Sequence, residues 1–279
     1  MSDINLILEN KRDEMVKNLI SLIKINSVRD LSSKSENAPF GIGARKALDR
    51  ALEIANKLGF ETTDYDGYIG ACDIGKGEIK VAVLCHLDVV PEGDGWTVDP
   101  YEGIIADGKI IGRGAIDDKG PAISAMYALW AVKEMSQSLD CKVRLLLGCD
   151  EECGSSDIEY YLTKDKMPKM VFTPDGSFPV INIEKGRATA EFEIKMPQGV
   201  KVWGGAVINA VPSGAQAEIP SKYEDDFKEI IKSYEGISYV KEGDKLITWI
   251  TPTSSLLPQL ANLLTLQLLG RVQTLLQCL

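Results

Sequence analysis

The stretch Ile79-Lys80-Val81-Ala82-Val83-Leu84-Cys85, with His86-Leu87-Asp88 directly behind it, sets the architecture. It is almost continuously apolar and rich in β-branched residues, as a strand covered on both faces of a sheet must be. Lys142–Cys149 repeats the pattern, and Met170–Thr173 is a shorter version of it. Helix patterns lie between them. One runs from Ile42 to Leu58 and stops at Gly59; another runs from about Pro121 to Met135, with proline in the tolerated first turn. Residues 4–24 carry Leu6, Ile7, Met15, Leu19, Ile20 and Ile23 at helical spacing and predict one amphipathic helix. Helices alternating with apolar strands predict an α/β domain around a mostly parallel central sheet.

Smaller elements fill the intervals. Glu61–Tyr65 and Tyr68–Ile74 read as strands, and Ile104–Ala106 and Lys109–Ile111 flank Asp107-Gly108, a hairpin signal. Ser156-Asp157-Ile158-Glu159 has the capping-box pattern and opens a helix to about Leu162, and Phe178–Ile183 reads as a further strand. From about Arg187 the pattern changes to alternating strands (190–196, 205–211 and 215–219) and a helix near Glu224–Ser233, the beginning of a second, α+β domain. After Asp244 there is no acidic residue, Lys245 and Arg271 are the only charges, and leucine dominates.

The 279 residues suffice for one large domain or two ordinary ones, and 44% hydrophobic with 26% charged residues is the composition of a soluble globular chain. A formal net charge of -10 argues against nucleic acid and against an anionic membrane surface. No signal-peptide pattern opens the chain, and no apolar stretch reaches the roughly 18 residues a spanning helix needs. Cys72, Cys85, Cys141, Cys149, Cys153 and Cys278 lack CxxC pairing and read as reduced thiols, so the expected location is the cytoplasm. The chain contains a single histidine.

That histidine ends the 79–85 strand, where open α/β sheets gather their ligands. Residues i and i+2 of an extended segment share a face, so Asp88 can reach the imidazole of His86 and hold its tautomer. A glycine-dense loop, Gly112-Arg113-Gly114-Ala115-Ile116-Asp117-Asp118-Lys119-Gly120-Pro121, places two adjacent carboxylates at a loop-to-helix junction. Either could cap the helix or bridge two cations. Asp150-Glu151-Glu152 follows the 142–149 strand, and three consecutive acids repel one another unless solvent or cations relieve them. Asp175 sits in a turn after the 170–173 strand. Taken singly, each is also an ordinary turn or cap. One imidazole and several carboxylates at successive strand ends suit Zn²⁺, Mn²⁺ or Co²⁺ better than a thiolate site would.

The motifs CHLDVVPEGDGW, GRGAIDDKGP, DEECGSSD and TPDGSFPV together resemble the two-metal metallopeptidase family that includes carboxypeptidase G, aminoacylase, acetylornithine deacetylase and succinyl-diaminopimelate desuccinylase. Within it the run is most similar to the bacterial PepV/Sapep type of dipeptidase (Xaa-His dipeptidase, carnosinase-like), over roughly residues 5–240. The resemblance implies hydrolysis of dipeptides with two divalent cations, most simply zinc. It implies His86 and Asp175 on one cation, Glu152 on the other, Asp117 bridging, Asp88 orienting His86 and Glu151 as general base. N-acyl amino-acid deacylation on the same scaffold, or a non-catalytic cation-binding remnant, are the competing expectations.

The family also inserts a lid domain and supplies further histidines, one in an Ala-His-x-Ser/Thr segment and one completing the second cation site. Neither has a counterpart here, since His86 stands alone. The expected organisation is therefore 1–186 as the first part of the catalytic domain, 187–245 as the beginning of the lid, and 246–279 as an aberrant leucine-rich tail, out of frame with a longer natural protein. Such a chain is expected to be poorly soluble or unstable and to turn over little peptide. Its oligomeric state is left open by the sequence.

Overall fold

Strand propensity and burial assemble the first unit, Met1–Glu184. Its elements are α1 (Ser2–Glu9), α2 (Arg12–Ile23), α3 (Ile42–Lys57), β1 (Glu61–Tyr65), β2 (Ile69–Ile74), β3 (Ile79–His86), β4 (Ile104–Ala106), β5 (Lys109–Ile111), α4 (Lys119–Met135), β6 (Lys142–Gly148), α5 (Ser156–Lys164) and β7 (Met170–Phe172). The computed structural model describes residues 2–251, apart from 94, 136–138, 178, 184–192, 194 and 206–213.

The central sheet has the order β1-β2-β6-β3-β7. As expected, the sheet is mostly parallel in strand direction: β1, β3, β6 and β7 run the same way, and β2 alone, antiparallel to both β1 and β6, runs against them. The cause is local. β1 and β2 are joined through Asp66-Gly67, both at positive φ, and a connection that short permits only an antiparallel hairpin. Asp107-Gly108 turns β4 into β5 in the same way.

Alternation along the strands feeds two cores. Cys72, Ile74, Val83, Cys85, Leu145 and Leu147 pack with α3 and α4, whereas Ile69, Ala71, Ala82 and Leu146 pack with Tyr161 of α5. Helices thus cover both faces. α3 buries Ala44, Ala47, Leu48, Ala51, Leu52, Ile54 and Ala55, one stripe at helical spacing, and Gly59 at φ +76 ends it. Gly70 lets that stripe approach β2 closely, since a Cβ there would stand 2.8 Å from Leu48 Cδ1 and 2.9 Å from Leu52 Cδ2.

Across β2 and β6 an ion pair is embedded. Arg144 Nε and Nη2 each donate to an oxygen of Asp73 at 2.8 Å, and Nη1 donates to Asp165 Oδ2 at 2.6 Å and to Tyr161 Oη at 2.9 Å.

Three expected elements differ. The single helix over 4–24 is two, α1 and α2, because the run Glu9-Asn10-Lys11-Arg12-Asp13 offers no apolar residue to hold a continuous stripe on the core. The capping box does not form: Ser155 is the cap, and Ser156 Oγ donates to Asp150 Oδ2 at 2.5 Å. Residues 179–183 are not a strand, and Val180, Ile181 and Ile183 are exposed; Phe178 lies outside the described residues.

The second unit, Lys185–Leu279, holds β8 (Lys201–Gly204), β9 (Ala215–Pro220), α6 (Glu224–Ile231), β10 (Ile237–Glu242) and β11 (Lys245–Ile250) in a sheet of order β10-β11-β9-β8. The strand expected over 215–219 and the helix near Glu224 are present. Those expected over 190–196 and 205–211 fall largely outside the described residues. β11 pairs with both β9 and β10 through Ile250, so the boundary drawn at 246 from composition falls inside a strand. Charge content does not report strand pairing: Leu246 is buried in this sheet whatever surrounds it in sequence. Among the described residues no helix is long and apolar enough to cross a membrane.

Candidate metal centre

Parallel strands deliver their carboxyl ends to one edge of the sheet. β3 ends in His86; β6 runs through Cys149-Asp150 into a single turn, Glu151–Cys153; β7 leads to Asp175; and the connection from β5 to α4 carries Asp117. All six residues picked out by sequence converge there.

His86 is buried and central. Its Nε2 stands 3.0 Å from Asp117 Oδ1, 3.5 Å from Asp175 Oδ2 and 3.9 Å from Glu151 Oε2. Two sets of donor atoms lie within 4.8 Å of one another: His86 with Asp117 and Asp175, and His86 with Glu151 and Glu152. Glu151, expected to stand apart as a base, is therefore among the possible donors.

The other ring nitrogen faces Asp88. Nδ1 is 3.0 Å from the backbone carbonyl of Asp88 and 3.4 Å from its carboxylate. A carbonyl only accepts, so Nδ1 carries a hydrogen, and Nε2 is the ring nitrogen that faces the acids. The carboxylate of Asp88, fully buried, also accepts the backbone N–H of Glu151 at 3.2 Å and of Glu152 at 3.1 Å. One aspartate thus ties the β3 end to the β6 end.

Asp118, which the sequence left as one of two adjacent acids, has its own place. Leu87 N–H donates to Gly148 on the β6 side at 2.8 Å, but β7 pairs with β3 only as far as Val83. The His86 N–H facing β7 would be unpaired, and Asp118 Oδ2 accepts it at 3.0 Å. Asp118 Oδ1 is buried with no partner, and burial pushes this carboxyl up to about 7. Asp157 is a second buried acid of this kind, accepting from Cys149 N at 2.7 Å and Asp150 N at 3.1 Å. Nothing in a single sequence distinguishes such buried acids from surface ones.

Crowding shows in the remaining acids. Burial raises Glu151 and takes Glu152 up to about 7, with the charge of Asp117 adding to the latter; the hydrogen bond from His86 lowers Asp117. One imidazole facing four carboxylates is a set of hard donors whose repulsion a divalent cation would relieve. The donor set fits such a cation.

Residues 82–254 match peptidase family M20/M25/M40, and the chain belongs to that family. It is 38% identical over 251 residues to a Bacillus subtilis (strain 168) protein named "Putative dipeptidase YtjP", covering 85% of this chain and 54% of that one. It is 37% identical over 232 residues to "Putative dipeptidase SAUSA300_1697" of Staphylococcus aureus (strain USA300), covering 80% and 49%. The chain spans about half the length of the curated relatives it matches. In fold it is similar to human carnosine dipeptidase 1, with a TM-score of 0.53 and 24% identity over 63% of this chain and 41% of that one.

Proposed function

We propose that this site serves metal-dependent hydrolysis of dipeptides. The observation that carries the reading is His86 Nε2 facing Asp117, Asp175 and Glu151 at 3.0 to 3.9 Å, with Glu152 in the same cluster. The names of the relatives at 37–38% identity support the substrate class. His86, Asp117, Glu152 and Asp175 would hold two divalent cations, zinc in preference to manganese or cobalt because an imidazole is in the set. Bound cations supply Lewis-acid polarisation of a carbonyl and make water more acidic. Glu151 Oε2 would accept the proton of the attacking water and return it to the leaving amine, a role that its burial-raised pKa suits. Asp88 keeps His86 in the tautomer that offers Nε2.

The test is a substrate panel on the purified chain with Zn²⁺ or Mn²⁺. Unblocked dipeptides should release free amino acids, chelator should stop the release, and turnover should be slow because one imidazole serves the whole cluster. Glu151→Gln should cut the rate by at least about 100-fold, as loss of a general base does. Preference for N-acetyl or N-succinyl amino acids would replace the dipeptidase reading with deacylation.

Proton competition gives a further expectation. Burial alone would lower the His86 pKa, but the hydrogen bonds with Asp117 and Asp88 and the negative charge of Asp88 and Asp118 outweigh it and raise it to about 11. The cation-free imidazole is therefore protonated at neutral pH, and a cation reaching Nε2 must displace that proton. Affinity should rise with pH, by on the order of tenfold per unit for one displaced proton. Calorimetric titrations from about pH 6 to about pH 8, in buffers of different ionisation heat, measure this; binding without proton release would contradict it.

A further inference from the structure

The segment between α2 and the turn at Asp30 has no regular structure, yet it touches three of the four loops that carry the donors. Lys119 Nζ donates to the Ile25 carbonyl at 2.8 Å and to that of Leu22 at 3.0 Å. Lys119 is fully buried and lies two residues after Asp117. Ser27, also fully buried, donates from Oγ to the carbonyl of Leu87 at 2.6 Å, between His86 and Asp88. Arg29 Nη1 donates to the carbonyl of Cys153 at 3.2 Å and forms an ion pair with Asp150 Oδ1 at 3.2 Å. Those two residues flank Glu151 and Glu152.

The segment is itself braced from behind. At the start of α3 a Cβ on Gly43 would stand 2.1 Å from the Asn26 carbonyl oxygen, so helix and segment are in direct backbone contact. Arg29 also lies over the Phe40 ring, 5.9 Å from its centroid. Pairing between β3 and β6 already fixes His86 relative to Glu151. It does not reach Asp117, whose loop belongs to neither strand. The contacts from Ile25, Ser27 and Arg29 join all three loops to one rigid piece of chain.

We propose that Ile25–Arg29 is a positioning frame for the cation donors. In it, Ser27 and Arg29 act directly, and Lys119 through the Ile25 carbonyl, to set the spacing of His86, Asp117, Glu151 and Glu152. None of the three touches a reacting atom. The inference rests on the cation reading of the site and adds which distant residues determine its affinity.

Co²⁺ is the probe, because its visible absorption reports donor geometry as well as occupancy. The full 279-residue chain would be titrated as wild type and as Ser27→Ala, Arg29→Met, Arg29→Lys and Gly43→Ala, with urea unfolding of each in chelator as the stability control. Ser27→Ala and Arg29→Met should each weaken Co²⁺ binding by about tenfold, the lower end for partners beyond the ligands themselves, and alter the absorption band. Arg29→Lys should recover part of the loss by keeping a charge beside Asp150, and Gly43→Ala should weaken binding although it lies on a helix outside the site. Ser27→Ala removes one oxygen atom and carries the test if Arg29→Met does not fold. Variants that lose stability in chelator but bind Co²⁺ with unchanged affinity and spectrum would overturn the frame alone. A wild-type chain with no saturable Co²⁺ band would overturn the cation reading, and the frame with it.

Discussion

His86→Ala should remove saturable Zn²⁺ or Co²⁺ binding, weakening it more than about 100-fold, beyond the cost of losing an outer partner. The reason is its position in both donor sets. Without the imidazole, Asp117, Asp175, Glu151 and Glu152 remain as mutually repelling acids, and burial together with neighbouring negative charge already raises the pKa of Glu151 and Glu152. Asp175→Asn, by comparison, removes a donor from one set only and should cost far less. Equilibrium dialysis against a competing chelator measures both. Binding by His86→Ala within tenfold of wild type would take the imidazole out of the site.

Asp73→Leu should cost stability on the order of 3–5 kcal/mol, the usual effect of removing one partner from a buried ion pair. Asp73 and Arg144 are each 5% exposed and share two hydrogen bonds of 2.8 Å. With the carboxylate gone, Arg144 keeps Asp165 and Tyr161 on one nitrogen but leaves two donors buried without acceptors. Asp165 is partly exposed, which places the expected loss toward the lower end. Replacing both residues, Asp73→Leu with Arg144→Met, should recover much of it, since two apolar side chains leave no buried charge. Urea unfolding of the single and double variants decides the matter. A loss below about 1 kcal/mol would mean that the pair behaves as a solvated surface bridge.

Periodicity made the frame of the first unit legible. β3 and β6 are long apolar runs, and α3 buries one face every three or four residues, so their existence and type follow from solvent exclusion alone. Strand direction was less legible. The reversal of β2 against its neighbours begins at the turn Asp66-Gly67, which the strand residues themselves do not encode. Sequence likewise missed the interruption at Asn10-Lys11, where polar residues break a stripe that looks continuous when apolar positions are counted across it.

The candidate donors were legible because each ends a strand or opens a helix, and strand ends can be read. What holds them was not. Asp88 reaches the backbone of Glu151 and Glu152 across 63 and 64 residues, and Lys119 reaches Ile25 across 94. Such contacts join segments with no shared pattern. Asp118 shows the limit well: it stands beside Asp117 in sequence, yet one faces the imidazole nitrogen and the other substitutes for a missing strand.

The shared position of His86 Nε2 bears on which cations the two sets would hold. An imidazole nitrogen has a single lone pair, so the two donor sets cannot both draw on it at once. An ion held on that nitrogen would leave the other set with carboxylate oxygens alone. That residual set of oxygens is harder and would favour manganese or magnesium relative to zinc more than a set containing the imidazole would.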